Sequence, residues 1–319
     1  MRILVVGAGG TGGYFGGRLL EAGRDVTFLV RPRRAAQLAE RGLVIVGATG
    51  DAHIPAPRTV QAGAIDGHYD LVLLSCKAYD LDDAIESFAP AVGPHTAILP
   101  LLNGMRHVDV LEARFGRDAV LGGLCMIIGT LDDDGTIRQL TPMHTLVAGE
   151  RDGTRDGTRD GTRTPRIEAI GRELAAGRFD SRISDAIVQE MWEKWVFIAT
   201  GAALTCLMRA TVGDIVAAGG ASVAHALFEE CAAIAARAGH APSEATRART
   251  RATYTEPGSP LTTSMSRDLA RGGRTEGEHL LGDLLRRGAH PDRPDAILRL
   301  AYLHVATHEV QRLAGLAGA

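Results

Sequence analysis

Over the first half of the chain, apolar residues come in short runs separated by polar, glycine-rich turns; over the second half they fall at helical spacing. Residues 2–7 (RILVVG) are apolar, β-branched and end in glycine, the pattern of a buried strand. Glycine-rich residues follow, then a helical pattern that ends near Ala22-Gly23. Residues 25–30 (DVTFLV) predict a second strand. Further strands are predicted at 70–76, 96–101 and 119–128, and helices at 79–90 and 106–115. This alternation predicts a parallel sheet with helices on both faces. The segment 42–60 interrupts it with two short apolar pieces, which predict a hairpin appended to the sheet. Residues 136–149 predict two further short strands. From Ser184 onward only helical patterns remain. Ser184 followed by Asp185 reads as a helix N-cap before a long apolar stretch at 185–209. Helical patterns follow at 211–218, 220–238, 242–254, 264–271, 275–288 and 294–316. The chain is therefore expected to divide into an α/β half, residues 1–183, and an all-α half, residues 184–319.

Composition narrows the function classes. Apolar residues make up 45% and charged residues 23%, as in ordinary globular proteins, which excludes a disordered chain, a collagen-like repeat and a coiled coil. A length of 319 residues suffices for two cores. A net charge of -3 argues against a general nucleic-acid binder, and 4% aromatics leave few platforms for stacking bases. The apolar start is cut by Gly7, too early for the core of a signal peptide. The stretch from Trp195 to Met208 is too short to span a bilayer and reads as a buried helix. Cys76, Cys125, Cys206 and Cys231 are far apart in apolar runs, as expected of reduced thiols in a cytoplasmic protein. Residues 151–163, built on three copies of RDGT, have no apolar face and are expected to form an exposed loop.

Gly7-Ala8-Gly9-Gly10-Thr11-Gly12 fits GxGxxG directly after the first strand and at the opening of a helix. In that context Gly7 permits the tight turn and Gly9 lets the backbone approach a pyrophosphate. Gly12 permits close helix–strand packing, and the helix N-terminus faces the phosphates. The pattern predicts a Rossmann-type doubly wound sheet that binds a dinucleotide through Gly7, Gly9, Gly10, Thr11 and Gly12. An Asp or Glu ending the second strand would select NAD; Val30-Arg31-Pro32-Arg33-Arg34 stands there instead. Guanidinium groups suit a 2′-phosphate, so NADP is expected, with Arg31 as the main contact. The alternative is that these arginines merely start the next helix on the surface.

Of the 35 basic residues, only Lys77 and Lys194 are lysine. Arginine stays protonated, whereas lysine can give up a proton. Lys77 follows the strand at 70–76, on the carboxyl side where open α/β sheets bind ligands. Lys194 lies in Trp-Glu-Lys-Trp-Val-Phe-Ile just after the expected domain boundary, and clefts between domains are common ligand sites.

The ordered set of motifs resembles the ketopantoate reductase (2-dehydropantoate 2-reductase) family over nearly the whole chain. The motifs are the glycine-rich turn, Cys76-Lys77-Ala78, Leu102-Asn103-Gly104-Met105, Glu193-Lys194, Ser264-Met265 with Asp268, and Arg274-Thr275-Glu276. The resemblance implies NADPH-dependent reduction of a 2-oxo acid between a Rossmann domain and a helical domain, ketopantoate being the default substrate. It implies that Lys194 is the general acid, stabilising and protonating the alkoxide left by hydride transfer. It further implies that Glu276 binds a substrate hydroxyl, that Ser264 contacts the substrate carboxylate, and that Asn103 and Lys77 line the nicotinamide and ribose side.

Each role has a plainer alternative. Thr275 and Glu278 could cap a helix beside Glu276, Ser264 could be an N-cap, and Asn103 could be a turn residue before Gly104. The sequence also departs from the pantoate-making pattern. Ile198 and Ala202 stand where asparagines one and two turns after the lysine bind substrate. This opens the alternative of another 2-oxo acid, as in a D-2-hydroxyacid dehydrogenase of the same superfamily. A sensor that binds NADP without turnover would be expected to lack Lys194 or Glu276. His304 and His308 share a helix face but make half a zinc site, so no metal is expected. Asp132-Asp133-Asp134-Gly135 reads as a turn. No membrane or nucleic-acid partner is expected, and the helical half could form a homodimer.

Overall fold

The computed structural model describes residues 1–151 and 163–315. All but the two ends of the RDGT segment therefore lie outside the described residues. By Cα proximity the chain forms two compact units: residues 1–102 with 107–188, and residues 103–106 with 189–319.

The first unit is built on a parallel five-stranded sheet. Its strands are β1 (Arg2–Val6), β2 (Asp25–Leu29), β5 (Thr59–Val60), β6 (Leu71–Leu74) and β7 (Ala97–Pro100), in the order β5-β2-β1-β6-β7. Sheet residues alternate between two cores. Ile3, Val5, Phe28, Leu71 and Leu73 pack on one face with Tyr14, Phe15 and Leu19 of α1 (Gly12–Glu21). Leu4, Val6, Leu29, Val72 and Leu74 pack on the other with Leu81, Ile85 and Phe88 of α3 (Leu81–Phe88). Burial of both faces explains the continuous apolar runs of these strands. Also in this unit are α2 (Pro32–Arg41), α4 (Arg106–Phe115), most of which lies here, and α5 (Pro165–Ala175).

The other strands form a second sheet, and here the expectations need correcting. The hairpin of β3 (Leu43–Gly47) and β4 (Ala52–Ile54) exists, but it joins the second sheet by pairing β3 with β9 (Ile137–Gly149). The third strand of the main sheet is the two-residue β5, too short to show a period. The run at 119–128 does not become a sixth parallel strand. It touches β7 through one bridge, Ile98 to Val120, then continues as β8 (Gly122–Leu131), antiparallel to β9. The two short strands expected at 136–149 are one. The interruption at residues 140–143 is a bulge, where the register slips between Ile127 and Gly129 and Pro142 has no N–H to give a ladder. The second sheet ends with β10 (Asp180–Ile183), parallel to β9.

The second unit is helical. The helix α6 (Ile187–Met208) carries buried residues on nearly every side, including Trp195, Thr200, Ala202, Leu204 and Thr205, as a central helix should. It is followed by α7 (Val212–Ala217), α8 (Ala221–Arg237), α9 (Glu244–Tyr254) and α10 (Ser264–Ala270). The stretch expected as one helix at 275–288 is instead a π-turn (Glu278–Gly282) leading into α11 (Asp283–Arg286). The long α12 (Ile297–Leu313) closes the unit. Among the described residues no helix is long and apolar enough to cross a membrane. Cys206 and Cys231 are buried, and burial pushes both thiols up to about 12, well above the range where a reactive thiolate forms.

Trp195 is fully buried, and its indole N–H donates to the Leu280 carbonyl at 2.9 Å. Trp195→Ala is expected to destabilise the protein by roughly 3–5 kcal/mol in denaturant unfolding. Trp195→Phe keeps most of the ring volume but removes the indole donor, and should cost about 1–3 kcal/mol. A Trp195→Phe protein as stable as wild type would show that the hydrogen bond contributes nothing beyond packing.

Candidate active site

The nucleotide-binding candidates follow β1. Gly7 turns the chain at φ +93, and its N–H donates to Leu29 O at 2.9 Å. Each later glycine has its own steric reason. A Cβ on Gly9 would enter open space, as a site for an approaching pyrophosphate requires. A Cβ on Gly10 would come within 2.9 Å of the Gly129 carbonyl in β8. A Cβ on Gly12 would overlap the Gly7 carbonyl and Ser75 Oγ, so α1 can lie this close to the sheet only with glycine there. Thr11, half-buried, precedes α1, whose first turn carries no acid, leaving the positive end of the helix available to an anion. The order β5-β2-β1-β6-β7 places this turn beside the end of β6, at the switch point of the sheet. Ser75 lies there too; its hydroxyl donates to Val6 O at 2.8 Å. Lys77 follows two residues on and is exposed.

The three arginines after β2 divide by geometry. Arg31 is extended, immediately before Pro32 opens α2, and its side chain is 70% exposed. Its guanidinium lies 3.2 Å from Asp80. Arg33 is exposed in the first turn. Arg34, one position further round, turns inward. Its Nε donates to Ala8 O at 3.0 Å and its Nη1 to Gly135 O at 2.9 Å. Burial lowers its pKa. One and two turns on, Gln37 donates to Asp133 O at 3.1 Å and Arg41 to Asp134 O at 2.9 Å. The Asp132–Gly135 run is thus the turn of the β8–β9 hairpin, docked along α2. Arg34 braces the glycine-rich loop against it, a role that sequence reading missed.

The remaining candidates lie in the helical unit. Lys194 is half-buried on α6. Its neighbour Glu193 fixes the helix by accepting from Ser243 N–H at 2.7 Å and from the Thr246 hydroxyl at 2.6 Å, at the start of α9. Burial would raise the pKa of Glu193, but these hydrogen bonds outweigh it and the net shift is downward. The other neighbour, Trp195, holds Leu280 O, and Leu280 N–H in turn donates to the Glu276 carbonyl at 2.9 Å. The helix of Lys194 and the segment of half-buried Glu276 are therefore tied through one residue.

The loop of half-buried Asn103 joins them. Gly104 sits at φ +83 with its Cβ position 3.3 Å from the His279 ring. His279, which sequence reading also missed, is 7% exposed and hydrogen-bonded to the Asn103 backbone. Burial lowers its pKa against the pull of Glu276 and Asp283. The signal was its place three residues after Glu276, on the same helical side, but a plain helix was expected there and the π-turn was not.

Two alternatives fall away. Thr275 and Glu278 do not form a cap: the Thr275 hydroxyl donates to Glu309 at 2.8 Å, and Glu278 accepts from Tyr302 at 2.6 Å. Ser264 is not an N-cap. Thr263 is, accepting from Ser266 N–H at 3.2 Å, and Ser264 is the exposed first residue of α10. Thr263 also meets Thr205 of α6 at 2.9 Å, about 16 Å along the helix from Lys194. Ile198 and Ala202, at i+4 and i+8 from Lys194, share its face.

Residues 3–153 match the family described as Ketopantoate reductase PanE/ApbA, and residues 186–309 match its C-terminal part. The chain belongs to this family. It is 36% identical to the uncharacterized oxidoreductase YkpB of Bacillus subtilis (strain 168), over 98% of this chain and 100% of that one. The crystal structure of 2-dehydropantoate 2-reductase from Geobacter metallireducens GS-15 superposes with a TM-score of 0.84 at 25% identity, covering 96% of this chain and 99% of that one. D-mandelate dehydrogenase, solved as a ternary structure with NADH and anilino(oxo)acetate, has a TM-score of 0.84 at 20% identity, covering 98% of this chain and 100% of that one. At that identity the likeness is one of fold. The ketopantoate reductase fold, a Rossmann-like sheet followed by a helical domain, is the one described above, and the chain is an oxidoreductase of this family.

Gly9→Ala and Gly12→Ala separate the two uses of glycine in the loop. Gly9→Ala is expected to keep the wild-type Tm and to weaken binding of a reduced nicotinamide dinucleotide in a fluorescence titration. Gly12→Ala must displace main chain, so it should lose roughly 1–3 kcal/mol of stability as well. A Gly9→Ala protein that binds the dinucleotide normally would remove the open side of the loop as the pyrophosphate site.

Proposed function

We propose that this chain reduces a 2-oxo acid to the 2-hydroxy acid with NADPH, and that its substrate is ketopantoate (2-dehydropantoate), reduced to pantoate. The observation that carries the reading is the lysine kept at position 194 in an arginine-rich chain, on a helix tied through Trp195 and Leu280 to the segment of Glu276. Bound nicotinamide would supply a hydride to the keto carbon. The ammonium of Lys194 stabilises the charge that develops on the keto oxygen and passes a proton to it. An arginine there would stabilise the same charge but release its proton poorly. Glu276 accepts a hydrogen bond from a substrate hydroxyl, and Ser264 donates to the substrate carboxylate. Asn103, at the head of the Gly104 turn, contacts the substrate and the nicotinamide side.

For the cofactor, the open side of Gly9 and the free end of α1 fit a pyrophosphate. The absence of an acid after β2 and the exposed guanidiniums of Arg31 and Arg33 favour a 2′-phosphate. Lys77, at the end of β6, adds a cation to the same side of the sheet. The buried cysteine thiols suit a reducing compartment, which supports a cytoplasmic setting.

A second reading rests on Ile198 and Ala202. The face of α6 that carries Lys194 has half-buried Ile198 one turn on and buried Ala202 two turns on; neither can hydrogen-bond a hydroxyl, which favours an acid with an apolar side chain over a hydroxylated one. Initial rates of NADPH and NADH oxidation with ketopantoate, 2-oxoisovalerate and phenylglyoxylate decide. The first reading expects kcat/KM to be highest with ketopantoate. It also expects NADPH to be preferred to NADH and Arg31→Ala to erase about 1–3 kcal/mol of that preference. A ketopantoate value at least about tenfold below either other acid would establish the second reading, and no turnover with any acid would refute both.

A further inference from the structure

Glu276 leaves the chain from a strap, residues 273–276, that belongs to no helix or strand. Its ends are fixed locally: Gly273 N–H donates to Asp268 O at 2.9 Å, and the Glu276 carbonyl accepts from Leu280 N–H at 2.9 Å. Two consecutive residues of α12 hold its start and its middle. The His308 ring donates through Nε2 to the Gly273 carbonyl at 2.9 Å. Oε1 of Glu309 accepts both the N–H of Thr275 at 2.6 Å and its hydroxyl at 2.8 Å. The other oxygen of Glu309 is held by Arg312 Nε at 2.9 Å. Burial alone would raise the pKa of Glu309; the two bonds from Thr275 and the one from Arg312 outweigh it and hold the group as a carboxylate. Thr275 is itself buried, so its donors have no access to water in exchange.

One carboxylate oxygen that takes both donors of a single residue fixes that residue's amide direction and its side-chain rotamer together. The next peptide then has little freedom, and the side chain it carries is that of Glu276. We propose that Glu309 is a positioning residue that aims Glu276, with His308 fixing the start of the same strap. The proposal rests on the reading of Glu276 as the carboxylate that holds substrate. If Glu309 only satisfied buried donors, its loss would lower stability without acting through Glu276.

The test is a double-mutant cycle with kcat/KM for the best 2-oxo acid of the panel, together with amide hydrogen exchange over residues 273–277. Glu309→Ala is expected to lower kcat/KM by about 10- to 100-fold, the scale of a small misplacement of a binding group. Glu309→Gln keeps an acceptor oxygen and should recover most of it. In a Glu276→Gln background, Glu309→Ala should cost less than about twofold more, because it acts only through the group already removed. Losses that multiply across the two sites would overturn the proposal. Exchange of the Thr275 amide should quicken in Glu309→Ala and stay near wild type in Glu309→Gln. Unchanged exchange in Glu309→Ala overturns the grip whether or not any acid is reduced. A wild-type protein inert on every acid refutes the reductase reading, and exchange alone then decides the grip.

Discussion

A single buried hydrogen bond, from the Trp195 indole to the Leu280 carbonyl, ties the helix of Lys194 to the turn that follows Glu276. Glu276 has no regular secondary structure of its own. Apolar packing between a helix and a strap has no direction of its own. A hydrogen bond from a fully buried indole has direction, and breaking it strands a donor and an acceptor where water cannot replace them. The π-turn belongs to the same arrangement. Turns of this kind cluster at functional sites, and here the turn presents Leu280 O to Trp195 and His279 to the Asn103 loop.

Legibility in the sequence followed the kind of physics involved. Local sterics could be read: a glycine that must turn the chain, as at Gly7, or admit a close helix, as at Gly12, is dictated by its immediate neighbours. The main-sheet runs could be read because two buried faces leave no polar positions in β6 and none in β1 beyond Arg2 at its exposed start. Non-local pairing could not. Two residues suffice for β5 because it sits at a sheet edge beside β2, and no period exists in two residues. The strands β8 and β9 looked like three pieces because a bulge breaks the alternation without breaking the strand. Arg31, Arg33 and Arg34 are equivalent in composition; only their angular positions around the start of α2 send the last of them inward.

The site candidates show the same division. Lys194 stood out because lysine is scarce, and Glu276 through its motif. His279 and Glu309 did not stand out, since each acts through main-chain groups of distant segments, Asn103 for one and Thr275 for the other. Main-chain partners leave no residue pattern to find. The apolar pair Ile198 and Ala202 was legible as spacing, because both stand on the face of α6 that carries Lys194.

The central claim is that Lys194 gives the proton that accompanies hydride transfer. Replacing it by arginine preserves the charge and makes proton release far harder. Single-turnover NADPH oxidation by Lys194→Arg, with cofactor affinity measured alongside, isolates that step. A fall in rate of about 10²–10⁴-fold at unchanged NADPH affinity is the predicted result. A Lys194→Arg protein that turns over at the wild-type rate would contradict it.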